Sequence, residues 1–101
     1  MIIVLSTYPD KKSAEEAAQQ IVEKELAACV NIIRLENSIY RRKGKIEKAA
    51  EYLLLIKTER KLYDKLGRFI KQSHPYEVPE IIYIEVKGGN KDYLDWVKAN
   101  L

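Results

Sequence analysis

Side chains that hold protons, metals or electron pairs near neutral pH are scarce in this chain, which has one histidine, His74, and one cysteine, Cys29, among 101 residues. His74 stands where a predicted helix stops, because Pro75 disfavours helical backbone in the residue before it. An imidazole in that place can ligate a metal, alone or with Glu77, Glu80 or groups from another subunit. It can equally serve the free carbonyls at a helix C-terminus. Cys29 follows Leu26-Ala27-Ala28 at the start of a predicted strand. It reads as a small buried hydrophobe, with a thiolate ligand for copper as the alternative. Of the seven tyrosines, Tyr52, Tyr63, Tyr83 and Tyr93 fall on the packing faces of predicted elements. Tyr40 and Tyr76 are less readily explained as packing.

The absences narrow the chemistry further. No C-x-x-C, H-E-x-x-H, G-x-G-x-x-G or Walker lysine loop occurs. A monomer with this inventory cannot supply a zinc site of the usual His/Cys type. A Ser-His-Asp triad is conceivable only around His74, and no serine has a nucleophile-elbow context. A lone histidine without a recognisable partner is thin ground for acid–base catalysis, so the expectation is a protein that is not an enzyme. Eighteen basic and fifteen acidic side chains give a net charge of +3, a mixed surface without a nucleic-acid footprint. The basic run Arg41 to Lys45 reads as a solvated hairpin tip that blocks edge pairing. With one cysteine there is no intrachain disulfide, and no apolar run approaches the roughly 20 residues of a membrane span. The N-terminus lacks the basic region of a signal peptide. The expected compartment is the cytoplasm, with no membrane and no nucleic-acid partner.

The elements that position these residues follow from periodicity. Ile2 to Leu5 is a short β-branched run ended by Tyr8-Pro9-Asp10, a buried strand. Ala14, Ala17, Ala18, Ile21, Val22 and Leu26 form one helical stripe, with Asp10 or a Ser13/Glu16 capping box at its start. From Ala28 to Tyr40 the period becomes two, with a bulge expected near Glu36-Asn37-Ser38. After the polar turn Arg41 to Lys45, Ile46 to Thr58 returns as the second arm of a hairpin. Leu62, Tyr63, Leu66, Phe69 and Ile70 mark a second helix ending near Ser73. Ile81 to Val86 is a fourth strand, Gly88-Gly89 a turn, and Asn90 the cap of a short final helix. The order predicts one α+β domain over 1–101. Its architecture is a ferredoxin-like βαββαβ sandwich with an antiparallel sheet and a short C-terminal helix.

Such a sheet has helices on one face only, so its strands should alternate apolar with polar. Three do not. Ile3 and Leu5 oppose Ile2 and Val4, Leu53 and Leu55 oppose Tyr52, Leu54 and Ile56, and Ile82 and Ile84 oppose Ile81 and Tyr83. The final helix is too short to cover the second face. An apolar surface of that extent is a liability on a monomer, so the pattern predicts an oligomer.

The stretch His74-Pro75-Tyr76-Glu77-Val78-Pro79-Glu80-Ile81 resembles the signature of the CutA divalent-cation tolerance family. Thr7-x-Pro9, Leu26-Ala27-Ala28-Cys29-Val30-Asn31-Ile32, Ser38-Ile39-Tyr40, Gly44-Lys45-Ile46, Lys57-Thr58 and Tyr93-Leu94-x-Trp96 extend the likeness along nearly the whole chain. The resemblance implies a tight homotrimer, similar in architecture to PII signalling proteins, and a link to tolerance of copper and other divalent cations. No reaction comes with it. Two departures stand out. Arg42 occupies a position usually held by tryptophan. Ser6 and Ser73 stand where some copper-associated members carry cysteine and histidine, which leaves His74 alone of that set. The leading expectation is a trimer that binds divalent metal weakly through His74, with Glu77 or Cys29 adding ligands. A PII-like small-ligand trimer with inter-subunit clefts lined by Tyr40, Lys57, His74 and Tyr76 is the alternative. A structural or adaptor trimer with an unknown protein partner is the third reading.

Overall fold

The computed structural model describes residues 1–101. The first strand, β1 (Ile2–Tyr8), alternates strictly between buried and half-buried side chains. Asp10 then starts α1 (Lys11–Glu23), its carboxylate accepting from the Ser13 N–H at 2.7 Å. This settles the choice between the two predicted caps in favour of Asp10. The helix ends with Glu25 in the left-handed region (φ 58°), while the Leu26 N–H reaches back to the Ile21 carbonyl at 3.0 Å. That bond closes the last turn and turns the chain toward the sheet.

A long hairpin follows, formed by β2 (Cys29–Arg42) and β3 (Lys45–Thr58). Its register shifts between Leu35 and Ser38, where the sequence places a bulge. The tip has φ above zero at both Lys43 and Gly44, the geometry of a turn whose twist matches that of its strands. A single 3-10 turn (Arg60–Leu62) leads into α2 (Tyr63–Ser73), which ends at His74 in extended backbone. The last strand, β4 (Ile82–Glu85), is shorter than the predicted Ile81 to Val86. At its entry the Ile81 carbonyl accepts from the Tyr63 hydroxyl, while at its exit the Val86 N–H donates to the Met1 carbonyl in continuation of the β1–β4 register. Gly88-Gly89 is an irregular connection and not a turn, because the chain must travel from the end of β4 to the start of α3 (Lys91–Ala99). Asn90 caps α3 as expected, accepting from the Asp92 and Tyr93 N–H groups.

The strands lie in the order β2-β3-β1-β4, with every neighbouring pair antiparallel. This is the ferredoxin-like arrangement: α1 carries the chain across β3 so that β1 and β2 run parallel two positions apart. One face holds the core. Ile2, Val4, Tyr8, Leu54 and Ile56 from the sheet meet Ala14, Ala17, Ala18 and Ile21 of α1 and Leu66 and Ile70 of α2. Tyr8 and the three alanines of α1 are buried in this one cluster.

The opposite face carries Ile3, Leu5, Leu53 and Leu55, all half-buried, and Ile82 and Ile84, 53% and 56% exposed. The Lys57 ammonium lies 5.5 Å from the centre of the Tyr93 ring of α3. Lys57 shares the row of Ile3, so α3 meets this face at one end and leaves the rest uncovered. The hairpin tip also presents Ile39 and Ile46, both more than half exposed.

Candidate functional site

Pairing between β1 and β4 extends only from Ile2 to Leu5, which leaves the β4-side edge of β1 open from Ser6 to Tyr8. The end of α2 delivers His74 to this point. Its ring nitrogen Nε2 lies 2.8 Å from the Thr7 carbonyl, and the Tyr76 N–H donates to Nδ1 at 3.0 Å. A backbone N–H can only donate and a carbonyl can only accept, so Nδ1 carries the lone pair and Nε2 the hydrogen. The tautomer is fixed by two main-chain groups. The ring is also sandwiched, with its centre 4.1 Å from that of Tyr8 and 5.0 Å from that of Tyr76.

Beyond the imidazole, the Tyr76 hydroxyl donates to Glu51 Oε2 at 2.6 Å. Glu51 follows directly on the last β1–β3 pair, Tyr8 with Tyr52, and is buried. Thr7, His74, Tyr76 and Glu51 thus form one chain of hydrogen bonds across the end of the sheet. Ser6 Oγ and the Tyr8 hydroxyl are buried beside it with no hydrogen-bond partner.

Burial dominates the electrostatics. It pulls the His74 pKa below that of a free histidine, against the opposing pull of the Thr7 carbonyl and the Glu51 charge. Burial also raises the Tyr76 phenol, helped by its bond to Glu51 and by the nearby Tyr40 and Asp10. Tyr8 is pushed up to about 12 by burial, and the neighbouring Ser6 hydroxyl opposes the shift without reaching hydrogen-bond geometry. At neutral pH the cluster therefore holds a neutral imidazole and two neutral phenols. With both ring nitrogens engaged, His74 has no free position from which to take a proton from a substrate.

The other predicted site residues are dispersed. Tyr40, on the exposed side of β2, comes near Tyr76 and joins the cluster's rim. Glu77 is exposed on the segment after Tyr76. Cys29 pairs with Lys57, which pairs with Ile3. Its row lies four residues along β1 from that of Thr7, about 13 Å at the usual strand rise. Lys57 shares that distant end. No three His, Cys, Asp or Glu side chains converge on a point that could hold a metal. The turn is narrower than the expected Arg41 to Lys45: only Lys43-Gly44 lies outside the strands, because Arg41 and Arg42 still pair with Ile46 and Lys45, and Arg42 makes an exposed ion pair to Glu47 at 3.6 Å.

Glu51 is the member that reading by residue type passes over. The available signal is its phase: it shares the row of Leu53 and Leu55, where a carboxylate is out of place without a partner.

The architecture defines a ferredoxin-like α+β protein with a latched histidine at the open end of β1. By sequence the chain belongs to the CutA1 divalent ion tolerance protein family, whose pattern matches residues 2–100. A mouse relative, Protein CutA, is 50% identical over 90% of this chain, and the chain spans about half (51%) of that relative's length. The divalent-cation tolerance protein CutA of Thermus thermophilus is 44% identical, with 97% of this chain and 95% of that protein matched. Crystal structures agree. CutA1 of Pyrococcus horikoshii superimposes with a TM-score of 0.94 at 39% identity, covering 99% of this chain and 97% of that one. The Thermus structure gives 0.94 at 44% identity, covering 99% and 98%. A structure from Archaeoglobus fulgidus, described as periplasmic, gives 0.94 at 35% identity over 99% of this chain and 98% of that one. In the present chain no helix is long and apolar enough to cross a membrane.

Proposed function

We propose that this chain is a cytoplasmic divalent-cation tolerance protein that works as a homotrimer and binds its ligand without transforming it. The carrying observation is the uncovered sheet face, where Ile82 and Ile84 stand more than half exposed beside Ile3, Leu5, Leu53 and Leu55. A lone chain would hold this surface in water, and copies of itself would bury it. The number three comes from the family resemblance. Light scattering at micromolar concentration is expected to give three times the chain mass of 11.8 kDa. A monomeric mass ends the proposal.

The ligand is a divalent cation, copper first, held weakly with His74 among its ligands. Weakness follows from the latch: a metal at Nδ1 must displace the Tyr76 N–H, and one at Nε2 must displace a proton and the Thr7 carbonyl. Glu77 is next to the site along the chain, whereas Cys29 is too distant within one subunit and would have to come from a neighbour. Calorimetry with Cu²⁺ is expected to show binding that His74→Ala abolishes; unchanged binding removes His74 from the site.

A second reading, a PII-like small-ligand cleft, is favoured by the way Tyr40, Tyr76 and His74 gather at one end of the sheet, with Lys57 supplied by another copy. Thermal-shift screening of nucleotides and small anions against metals separates the two. Silence in both screens favours a structural or adaptor trimer with a protein partner. Cell fractionation tests the compartment, since the Archaeoglobus relative is described as periplasmic.

A further inference from the structure

Helix α2 contains a glycine that its packing does not require. An interior glycine costs a helix about 1 kcal/mol relative to alanine. Gly67 has no left-handed backbone to justify it, and a Cβ placed there would meet no atom within 4 Å. Gly67 lies in a shallow groove of about 310 Å³ between α2 and the segment entering β4. Tyr63, Asp64, Gly67, Arg68, Lys71 and Ile81 line it.

The floor of this groove is fixed. The Tyr63 hydroxyl donates to the Ile81 carbonyl at 3.1 Å, and its ring lies 4.7 Å from that of Tyr83. The rim is charged and unsatisfied: Arg68 and Lys71 are exposed, and neither makes an ion pair. Asp64 is the single acid of the lining, so the groove is net positive. Its lining comes from α2 and from Ile81, which packs against the core, on the side of the sheet opposite Ile82 and Ile84.

We propose that the α2 groove docks a short acidic segment of a partner protein. One apolar side chain of the partner lies over Gly67 against Tyr63 and Ile81, and flanking carboxylates meet Arg68 and Lys71. Charge complementarity selects the acidic partner, with the arginine able to take a carboxylate in bidentate fashion. The apolar floor between the charges selects a peptide over a bare polyanion. Because the floor is already ordered, little freedom is lost there on binding.

The test uses a random-peptide display library selected on the full chain, with Gly67→Leu and Arg68→Glu/Lys71→Glu proteins as controls. Gly67→Leu fills the groove and, by removing a helix glycine, is expected to melt no lower than the parent, so a loss of binding is not a loss of fold. The expected result is an enriched consensus of an apolar residue flanked by acids. Its affinity falls at least tenfold on either control protein and is not matched by an all-glutamate peptide. No enrichment, a basic consensus, equal binding to Gly67→Leu, or equal binding by polyglutamate or a DNA oligonucleotide overturns the proposal. So does a change in oligomeric mass in Gly67→Leu, which would make the groove a contact between copies.

Discussion

At the scale of single residues, His74 behaves as a latch whose two hydrogen bonds require the neutral ring. Protonation would set a hydrogen on Nδ1 against the Tyr76 N–H. Because burial lowers its pKa, the folded chain holds this proton less tightly than the unfolded chain does. The stability that the neutral ring contributes is therefore fully present above the ordinary histidine pKa. It is lost as pH falls below about 6.5, until the folded ring also protonates. Melting by circular dichroism is expected to give a lower Tm at pH about 5.5 than at about 7.5, with a shallower slope in His74→Asn. The chain has one histidine, so its ring proton signal follows the same titration directly. Glu51 makes the second prediction. Tyr76→Phe strands a buried carboxylate and is expected to cost about 1–3 kcal/mol in urea unfolding, whereas Glu51→Gln keeps an acceptor for the phenol and costs much less.

Elements carry their own signatures. Asp10, the β2 bulge, the glycine at the hairpin tip and Asn90 all sit where local chemistry places them, because caps and turns are decided by backbone groups a few residues away. Two positions run against propensity, Glu25 and Lys43, which take left-handed backbone without being glycine. At Glu25 the conformation closes α1 and aims Leu26 into the core, so the backbone must adopt it whatever the side chain. Glu25→Gly removes the steric penalty and is expected to stabilise the protein by about 1 kcal/mol, measured as a raised urea midpoint with an unchanged slope. At the entry to β4 a tertiary contact intervenes, the Tyr63 hydroxyl taking the Ile81 carbonyl, whereas at its exit the Val86 N–H bond to the Met1 carbonyl continues the β1–β4 register.

The whole molecule is governed by its uncovered face. If copies bury Ile82 and Ile84, folding and assembly are linked, and the Tm rises with protein concentration. Ile84→Glu places a charge in that surface and is expected to give a smaller species by light scattering, with a lower, concentration-independent Tm. A concentration-independent Tm in the parent would argue that the face is tolerated in water.

The sequence by itself determined the strand and helix order, the bulge, the Asn90 cap and the two-faced apolar pattern, and narrowed the start of α1 to two caps. All of these follow from periodicity and local backbone demands, which act within a few residues. It also singled out His74, Tyr76 and Tyr40 as residues that packing did not explain. Only the tertiary structure decided that Glu51 joins them, that Cys29 and Lys57 lie at the far end of the sheet, and that both nitrogens of His74 are occupied. Those outcomes depend on which strand ends meet which loop: β4 stops pairing at Leu5, and that open edge of β1 is where the histidine docks. No spacing along the chain encodes such a meeting, because it is set by strand order and register across some 70 residues of intervening chain (|i−j| = 67 from Thr7 to His74).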